Sequence, residues 1–174
     1  MFAIRAAKLD DLNAITEIYN EAVLTTVASF DTKPKTSTEQ GAWFANHGPK
    51  RPILVTELDG VVVGWASLSD WAHHDAYADT VEISLYVKEE FRRRGIGRRL
   101  LKAIIEEGEK VGLHTVIARI TQGNEESIRL HESVGFEHIG VMREVGRKFG
   151  KLLDVCLMQK IYPSKVPATP DDST

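Results

Sequence analysis

Apolar residues recur every three to four positions in several stretches of the chain, which is the spacing of amphipathic helices. The predicted helices cover 10–23, 36–48, the stretch from the segment at 91–100 to Gly112, and 124–135. Asp10 or Asp11 can cap the first helix. In the second, Ser37 and Gln40 have the spacing of a capping box, and Gly48 follows as a stop signal.

Between these helices, apolar residues alternate with polar ones or form short apolar runs, which is typical of strands. The predicted strands cover 2–5, a hairpin over 52–69, and then 80–87, 114–120, 136–145 and 151–162. Asp59-Gly60 is a strong turn signal at the centre of the hairpin. The order of elements predicts an α/β fold with a mixed sheet and helices on both faces. We expect one domain over 1–162 and a disordered, proline-rich tail over 163–174.

Composition is that of a water-soluble globular protein. The 174 residues are 43% hydrophobic and carry a net charge of −3, so a general affinity for nucleic acid or for an anionic membrane surface is not expected. The apolar runs are too short for a membrane span, and the N-terminus lacks the features of a signal peptide. A cytoplasmic location is therefore expected. Cys156, the single cysteine, lies in an apolar run and is predicted to be a buried, inert thiol.

The segment FRRRGIGRRL, at 91–100, concentrates five arginines around Gly95 and Gly97 between a predicted strand and a predicted helix. Helix N-termini present free N–H groups and the positive end of the helix dipole, and glycine allows close approach of the backbone. Arg92-x-x-Gly95-x-Gly97 in this context predicts a site for a phosphate or a pyrophosphate. The alternative is a glycine turn with a solvated basic face.

Two other phosphate-binding loops do not fit. A Walker loop requires a Lys-Ser/Thr pair after its last glycine, which this segment lacks. A Rossmann fingerprint requires a third glycine, and Leu100 stands in its place.

Several separated motifs in this order resemble the GNAT superfamily of acetyl-CoA-dependent N-acetyltransferases. The similarity extends over residues 4–161 to the group of phosphinothricin and L-amino-acid (methionine sulfoximine) N-acetyltransferases. The motifs that carry it are the arginine segment and EIYNEAVLTTVASFDT, GWASLSDW, AYADTVEISLYV, NEESIRLHESVGF, REVGRKFG and LDVCLMQ. The resemblance implies a GNAT-type mixed, mostly antiparallel sheet, acetyl-CoA as acetyl donor, and a homodimer.

The resemblance also implies a set of cofactor-binding residues. The backbone of the loop would bind the pyrophosphate of CoA, and the strand before the loop would splay from its neighbour to pair with the pantetheine arm. The ring of Tyr86 has an alternative role as a packed strand aromatic, because its backbone would do the binding. The implied residues are Leu85, Tyr86, Val87, Arg92, Arg93, Arg94, Gly95, Ile96, Gly97, Arg98, Asn124 and, as a weaker candidate, Ser133.

Glu82 is the candidate general base. Acetyl transfer needs an amine that has lost its proton, because an ammonium has no lone pair. The period of the strand places Glu82 with Ser84 and Tyr86 on one face, and a carboxylate in the middle of a sheet is costly to bury unless it is paired. A solvated edge carboxylate and a structural ion pair are the alternatives. The phosphinothricin group has a glutamate at this place, which supports the base.

His131 shares one helix face with Ser127, Leu130 and Val134, so it is predicted to point inward. A satisfied core histidine would explain that position. Many members of the superfamily have a tyrosine here that protonates the departing thiolate, and the phosphinothricin group has histidine in the motif LHE. The resemblance therefore implies that His131 is a general acid or a residue that orients the amine.

The resemblance places the acceptor pocket between the motifs GWASLSDW and TVE. Family members that bind phosphinate or sulfoximine amino acids carry arginine or lysine there, whereas this chain has neither over 72–79. A small amino acid or related amine is the expected substrate class. Adjacent His73 and His74 lack a third ligand at sensible spacing, so no metal site is expected. The candidate substrate residues are Phe30, His74, Asp75, Tyr77 and Thr80.

Three functions remain open at the level of sequence. The first is an acetyl-CoA-dependent N-acetyltransferase that acts on a small amino acid. The second is a protein or peptide N-acetyltransferase, which would need an open groove around Tyr77. The third is a non-catalytic module that binds acetyl-CoA, and the presence of both Glu82 and His131 argues against it.

Overall fold

A computed structural model describes residues 1–163. The strands are β1 (Phe2–Ala6), β2 (Ile53–Leu58), β3 (Val61–Asp70), β4 (Thr80–Val87), β5 (Thr115–Thr121), β6 (Glu137–Lys148) and β7 (Lys151–Ile161). The α-helices are α1 (Leu12–Thr25), α2 (Ser37–Ala45), α3 (Ile96–Lys110) and α4 (Glu125–Glu132). Short 3₁₀ turns cover Leu9–Asp11, Asp75–Tyr77 and Glu89–Phe91. Apart from Pro163, the predicted tail lies outside the described residues.

The described strands form one mixed sheet in the order β1-β2-β3-β4-β5-β7-β6. Neighbouring strands are antiparallel except β4 and β5, which run parallel. The predicted fold class, a mostly antiparallel mixed sheet with helices on both faces, is confirmed. The turn at Asp59-Gly60 also forms, and both of its residues have positive φ, 50° and 83°.

The two faces of the sheet carry separate apolar clusters. Leu100, Leu101 and Ile104 of α3 pack with Val81 and Ile83 of β4 in one cluster. On the opposite face, Ile15 and Ile18 of α1 pack against Trp65 of β3, and Tyr86 of β4 joins them. The alternation of side chains along β4 is what divides its residues between the two layers.

The predicted N-cap of α1 is confirmed in position, but its side chain makes no capping hydrogen bond. Asp11 occupies the N-cap position of α1, but its carboxylate accepts hydrogen bonds from the Arg5 guanidinium, at 2.7 and 2.9 Å, and from the Lys8 N–H at 2.7 Å. The charge-assisted pair with Arg5 holds the pKa of Asp11 below its usual value.

The second helix is capped one residue earlier than predicted. Its capping box is formed by Thr36 and Glu39, since Thr36 has the extended backbone of an N-cap and Ser37 is already helical. The helix ends at Ala45 with Asn46 as its C-cap, before the predicted stop at Gly48.

Cys156 is buried, as predicted, and only 1% of its surface is exposed. Burial raises the pKa of its thiol, which keeps it protonated and unreactive. Its Sγ lies 3.2 Å from Nδ1 of His138.

Candidate active site

The sheet opens between β4 and β5. Their ladder contains only the pairs Thr80↔Thr115, Val81↔Val116 and Glu82↔Ile117, although both strands continue beyond it. The gap leads into a cleft of about 970 Å³, called the β4–β5 cleft below. A cleft of this size is typical of small-molecule sites.

Many of the predicted site residues line the β4–β5 cleft. From the predicted cofactor set these are Leu85, Tyr86, Val87, Arg92, Arg93, Gly97 and Asn124, and from the predicted catalytic and substrate sets they are Glu82, His131 and Phe30. The remaining predicted residues do not line it: Arg94, Gly95, Ile96, Arg98, Ser133, His74, Asp75, Tyr77 and Thr80.

The start of α3 presents free donors at one end of the cleft. Gly95 is the N-cap and has left-handed backbone, with φ 75° and ψ 4°, which only glycine adopts without strain. The first backbone bond of the helix runs from the N–H of Arg99 to the carbonyl of Gly95 at 3.2 Å. The N–H groups of Ile96, Gly97 and Arg98 therefore have no helical acceptor and suit an anion.

Several arginine side chains of this loop are held by the protein itself. Arg92 donates from Nε to the carbonyl of Val87 at 2.9 Å, and Arg94 donates to the carbonyl of Glu90 at 3.1 Å. The guanidinium of Arg99 lies over the ring of Phe2 at 5.2 Å. The backbone, more than these side chains, is thus available to a ligand.

The two residues that cap α4 and are predicted to contact the cofactor differ in position. Asn124 lines the cleft and caps α4, because its Oδ1 accepts a hydrogen bond from the N–H of Ser127 at 3.2 Å. The hydroxyl of Ser133 donates to the carbonyl of Leu130 at 2.7 Å on the exposed end of the helix. The structure does not bring Ser133 to the cleft.

Glu82 is paired with an arginine that the sequence reasoning missed. Nε and Nη2 of Arg119, on β5, donate to the two carboxylate oxygens of Glu82 at 2.5 and 2.7 Å. This bidentate pair raises the pKa of Arg119 above its usual value. The signal was available, since an arginine inside the apolar run HTVIARI is as unusual as a glutamate inside TVEISLYV.

His131 points inward, as predicted, and is 5% exposed. Its Nδ1 lies 2.8 Å from the carbonyl of Ser127, and its ring packs edge-on against Phe136 with ring centroids 5.1 Å apart. Because a carbonyl only accepts hydrogen bonds, Nδ1 carries the proton and Nε2 of the neutral ring presents a lone pair. Burial lowers the pKa of His131, which favours this neutral form.

The segment 26–31 after α1 forms another wall of the cleft, and distant residues hold it in place. Thr121 donates its hydroxyl to the carbonyl of Val27 at 2.6 Å, and buried Lys148 donates to the carbonyl of Ser29 at 2.7 Å. The hydroxyl of Tyr19 bonds to Ser29 at 2.9 Å and also to Asp31. These contacts place Phe30, one of the candidate substrate residues, at the cleft.

The predicted substrate residues after β3 lie away from the cleft of the same chain. Asp75 and Tyr77 belong to an exposed 3₁₀ turn, and the ring of Tyr77 is 6.4 Å from that of His74. Thr80 opens β4 and pairs with Thr115. Within residues 1–163, no cluster of His, Cys, Asp and Glu has the geometry of a metal site.

None of the described helices is both long and apolar enough to cross a membrane.

The sequence profile of the Acetyltransferase (GNAT) family matches residues 13–136. The L-methionine sulfoximine/L-methionine sulfone acetyltransferase of Salmonella typhimurium is 43% identical over 157 residues, which are 90% of this chain and 92% of the relative. The phosphinothricin N-acetyltransferase of Streptomyces coelicolor is 37% identical over 161 residues, which are 90% of this chain and 94% of the relative.

A solved structure has the same architecture. The structure of a putative acetyltransferase from Salmonella typhimurium with its cofactor acetyl-CoA aligns with a TM-score of 0.92 and 40% identity over 99% of both chains. Sequence and structure agree over nearly the whole chain. This protein therefore belongs to the GNAT family of acetyltransferases and is an acyltransferase enzyme.

Proposed function

We propose that the protein transfers the acetyl group of acetyl-CoA to the amine of a small amino acid or a close analogue, with both substrates bound together in the β4–β5 cleft. One observation carries the proposal: a single cleft extends from Gly97, in the first turn of α3, to the titratable side chains of Glu82 and His131. Relatives whose names specify methionine sulfoximine, methionine sulfone and phosphinothricin support the substrate class.

The end of the cleft at the start of α3 suits CoA. The N–H groups of Ile96, Gly97 and Arg98 would bind the pyrophosphate, helped by the positive end of the α3 dipole. Beyond Glu82, β4 separates from β5 and leaves room for the extended pantetheine arm. Backbone N–H groups near Leu85 and Tyr86 would stabilise the oxyanion that forms at the thioester carbonyl.

Glu82 takes the proton that the substrate ammonium must lose. Both of its oxygens accept hydrogen bonds from Arg119, and each retains a further lone-pair site for a proton donor. Removing the proton frees the lone pair of the amine, which attacks the thioester carbon. The proton then passes from Glu82 to solvent.

His131 moves a second proton. After attack, the new C–N bond leaves the nitrogen with one proton too many, while the departing sulfur needs one. Neutral His131 has its lone pair on Nε2, so it accepts the extra proton of the nitrogen. The resulting imidazolium then gives that proton to the thiolate. This assigns His131 a shuttle role, in place of a general acid that is charged before the reaction begins.

A screen of thiol release tests the function. Acetyl-CoA is incubated with amino acids, sulfoximine and phosphinate analogues, polyamines and peptides, and free CoA is measured. We expect turnover on small amino acids or their analogues. Turnover confined to peptides would establish a peptide N-acetyltransferase, and binding of acetyl-CoA without any turnover would establish a non-catalytic module.

Glu82→Gln tests the base directly. We expect kcat to fall about 10²- to 10⁴-fold, the usual contribution of a general base, while acetyl-CoA binding measured by calorimetry stays unchanged. Glu90→Gln, a change at an exposed carboxylate on the turn after β4, is the matched control and should keep full activity. Full turnover by Glu82→Gln with normal acetyl-CoA binding would remove Glu82 from the mechanism.

The family resemblance further supports a homodimer in which a second copy contributes to the acceptor region. Such a copy would give a role to the exposed 3₁₀ turn at Asp75–Tyr77, where Tyr77 is 43% exposed. Light scattering should then give twice the mass of the chain, and a monomer that retains full activity would refute the shared site.

A further inference from the structure

Arg119 has hydrogen-bond donors left over inside the cleft. A guanidinium carries five N–H donors, and Glu82 uses one on Nε and one on Nη2. The Arg119 side chain makes no other hydrogen bond within residues 1–163 and is 50% exposed, whereas that of Glu82 is 20% exposed. Both residues line the cleft, so unused donors of a permanent cation stand beside the candidate base.

The guanidinium of Arg119 is held in a fixed position. Glu82 binds it through two parallel hydrogen bonds, and the ring of Trp71 packs against it with 5.7 Å from the guanidinium carbon to the ring centroid. Two different contacts on one planar group orient its remaining donors before a ligand arrives. Pre-organised donors of this kind bind carboxylates with good geometry.

The cationic side chains of the cleft lie at two places in the sequence and the fold. Among the described residues that line it, those with permanent positive charge are Arg92, Arg93 and Arg119. Arg92 and Arg93 belong to the loop before α3, at the end of the cleft where CoA is proposed to bind. Of the three, only Arg119 lies next to Glu82. The segment 72–79 has neither lysine nor arginine, so this segment supplies no permanent cation for the acceptor.

We propose that Arg119 binds the carboxylate of an α-amino acid acceptor while Glu82 receives its ammonium. The inference rests on the proposed function and specifies its substrate class as zwitterionic. In an α-amino acid the two charged groups are separated by one carbon, and in the cleft the two complementary charges are adjacent. The substrate therefore inserts its charges beside an existing ion pair, and a decarboxylated or amidated amine leaves Arg119 without its second partner.

The test compares an acid with its amide. Thiol release is measured on L-methionine sulfone and on its α-carboxamide, for the wild type, Arg119→Gln and Arg119→Lys. For Arg119→Gln we expect kcat/KM on the acid to fall about 10- to 100-fold, mainly through KM, because a charge-assisted hydrogen bond is lost. The amide should change less than about threefold, and Arg119→Lys should recover part of the loss on the acid.

Arg129→Gln is the matched control, since Arg129 is exposed on α4 and does not line the cleft. This variant should leave kcat/KM unchanged on both the acid and the amide. Equal losses on acid and amide in Arg119→Gln would show that Arg119 only maintains Glu82, and unchanged kinetics on both would show that it does not meet the substrate. Either result overturns the proposal.

Calorimetry separates this proposal from the proposed function. L-methionine sulfone is titrated into the protein saturated with CoA, where no transfer occurs. Weaker binding to Arg119→Gln than to the wild type supports the carboxylate site even if thiol release is absent, whereas equal binding overturns it. Absence of thiol release with every amine would count against the proposed function alone.

Discussion

Replacing Gly97 with alanine should separate cofactor binding from stability. A Cβ built at Gly97 lies 3.6 Å from Cδ2 of Leu130 and 3.8 Å from Cδ2 of Leu85, which are ordinary van der Waals distances. The folded protein therefore accepts the methyl group without rearrangement. Because alanine also favours the helix over glycine, the free energy of unfolding should stay the same or rise by up to about 1 kcal/mol.

The same methyl group should weaken CoA binding. Gly97 lines the cleft and lies in the first turn of α3, where its N–H has no helical acceptor. A pyrophosphate bound there approaches the backbone to about 2.9 Å, so an added carbon forces it outward. At the usual cost of overpacking, about 1–3 kcal/mol, the Kd for CoA should rise about 5- to 150-fold.

Calorimetry with CoA and urea unfolding together check this outcome. Gly95→Ala is a useful contrast, because no atom lies within 4 Å of its added Cβ but the backbone φ of 75° is strained for alanine. That change should lower the free energy of unfolding by about 1–2 kcal/mol. Arg94→Ala should alter CoA binding only slightly. If Gly97→Ala binds CoA like the wild type, or no worse than Arg94→Ala, the backbone cradle is the wrong explanation of this loop.

Three further outcomes are expected. Gly108→Ala should lower the free energy of unfolding by about 1–3 kcal/mol in urea, because its Cβ would overlap the Tyr162 hydroxyl and lie 2.8 Å from Cδ1 of Leu68. Gly41→Ala, in α2, should raise the free energy of unfolding by up to about 1 kcal/mol, because no atom lies within 4 Å of the added Cβ. If both variants changed the free energy of unfolding in the same direction, the packing argument would be contradicted. Since burial lowers the pKa of His131, the unfolded chain binds the proton more tightly. The free energy of unfolding of the wild type should therefore fall as the pH drops from about 6.5 through the folded pKa of His131. His131→Gln should reduce this pH dependence in unfolding curves. The same pH dependence in both proteins would refute the assignment of His131 as a buried neutral imidazole.

The sequence predicted the elements well because local pattern determines them. The strand 80–87 matches β4 residue for residue, and the glycine-arginine loop lies between β4 and α3 as expected. The cap of the second helix was misplaced by one residue, because Ser37 and Gln40 have the same spacing as Thr36 and Glu39. Local sequence cannot rank two overlapping capping boxes.

Parts of the candidate site depend on contacts between distant residues, and these could not be predicted. The Glu82–Arg119 pair follows from the parallel register of β4 and β5, which joins residues 37 positions apart. The wall formed by 26–31 depends on Lys148, 119 positions from its partner Ser29. The tautomer of His131 follows from a hydrogen bond within its own helix, yet it becomes evident only once the ring orientation is known.

The short ladder between β4 and β5 has a consequence for how the sheet holds together. Three residue pairs join the part that contains β1 to β4 to the part that contains β5, β7 and β6, whereas β3–β4 and β5–β7 are each joined by seven. This seam is the least redundant connection in the sheet. A cofactor bound along the open side of β4 would contact both parts and link them. The same ligand contacts would then serve catalysis and make the two parts unfold more cooperatively.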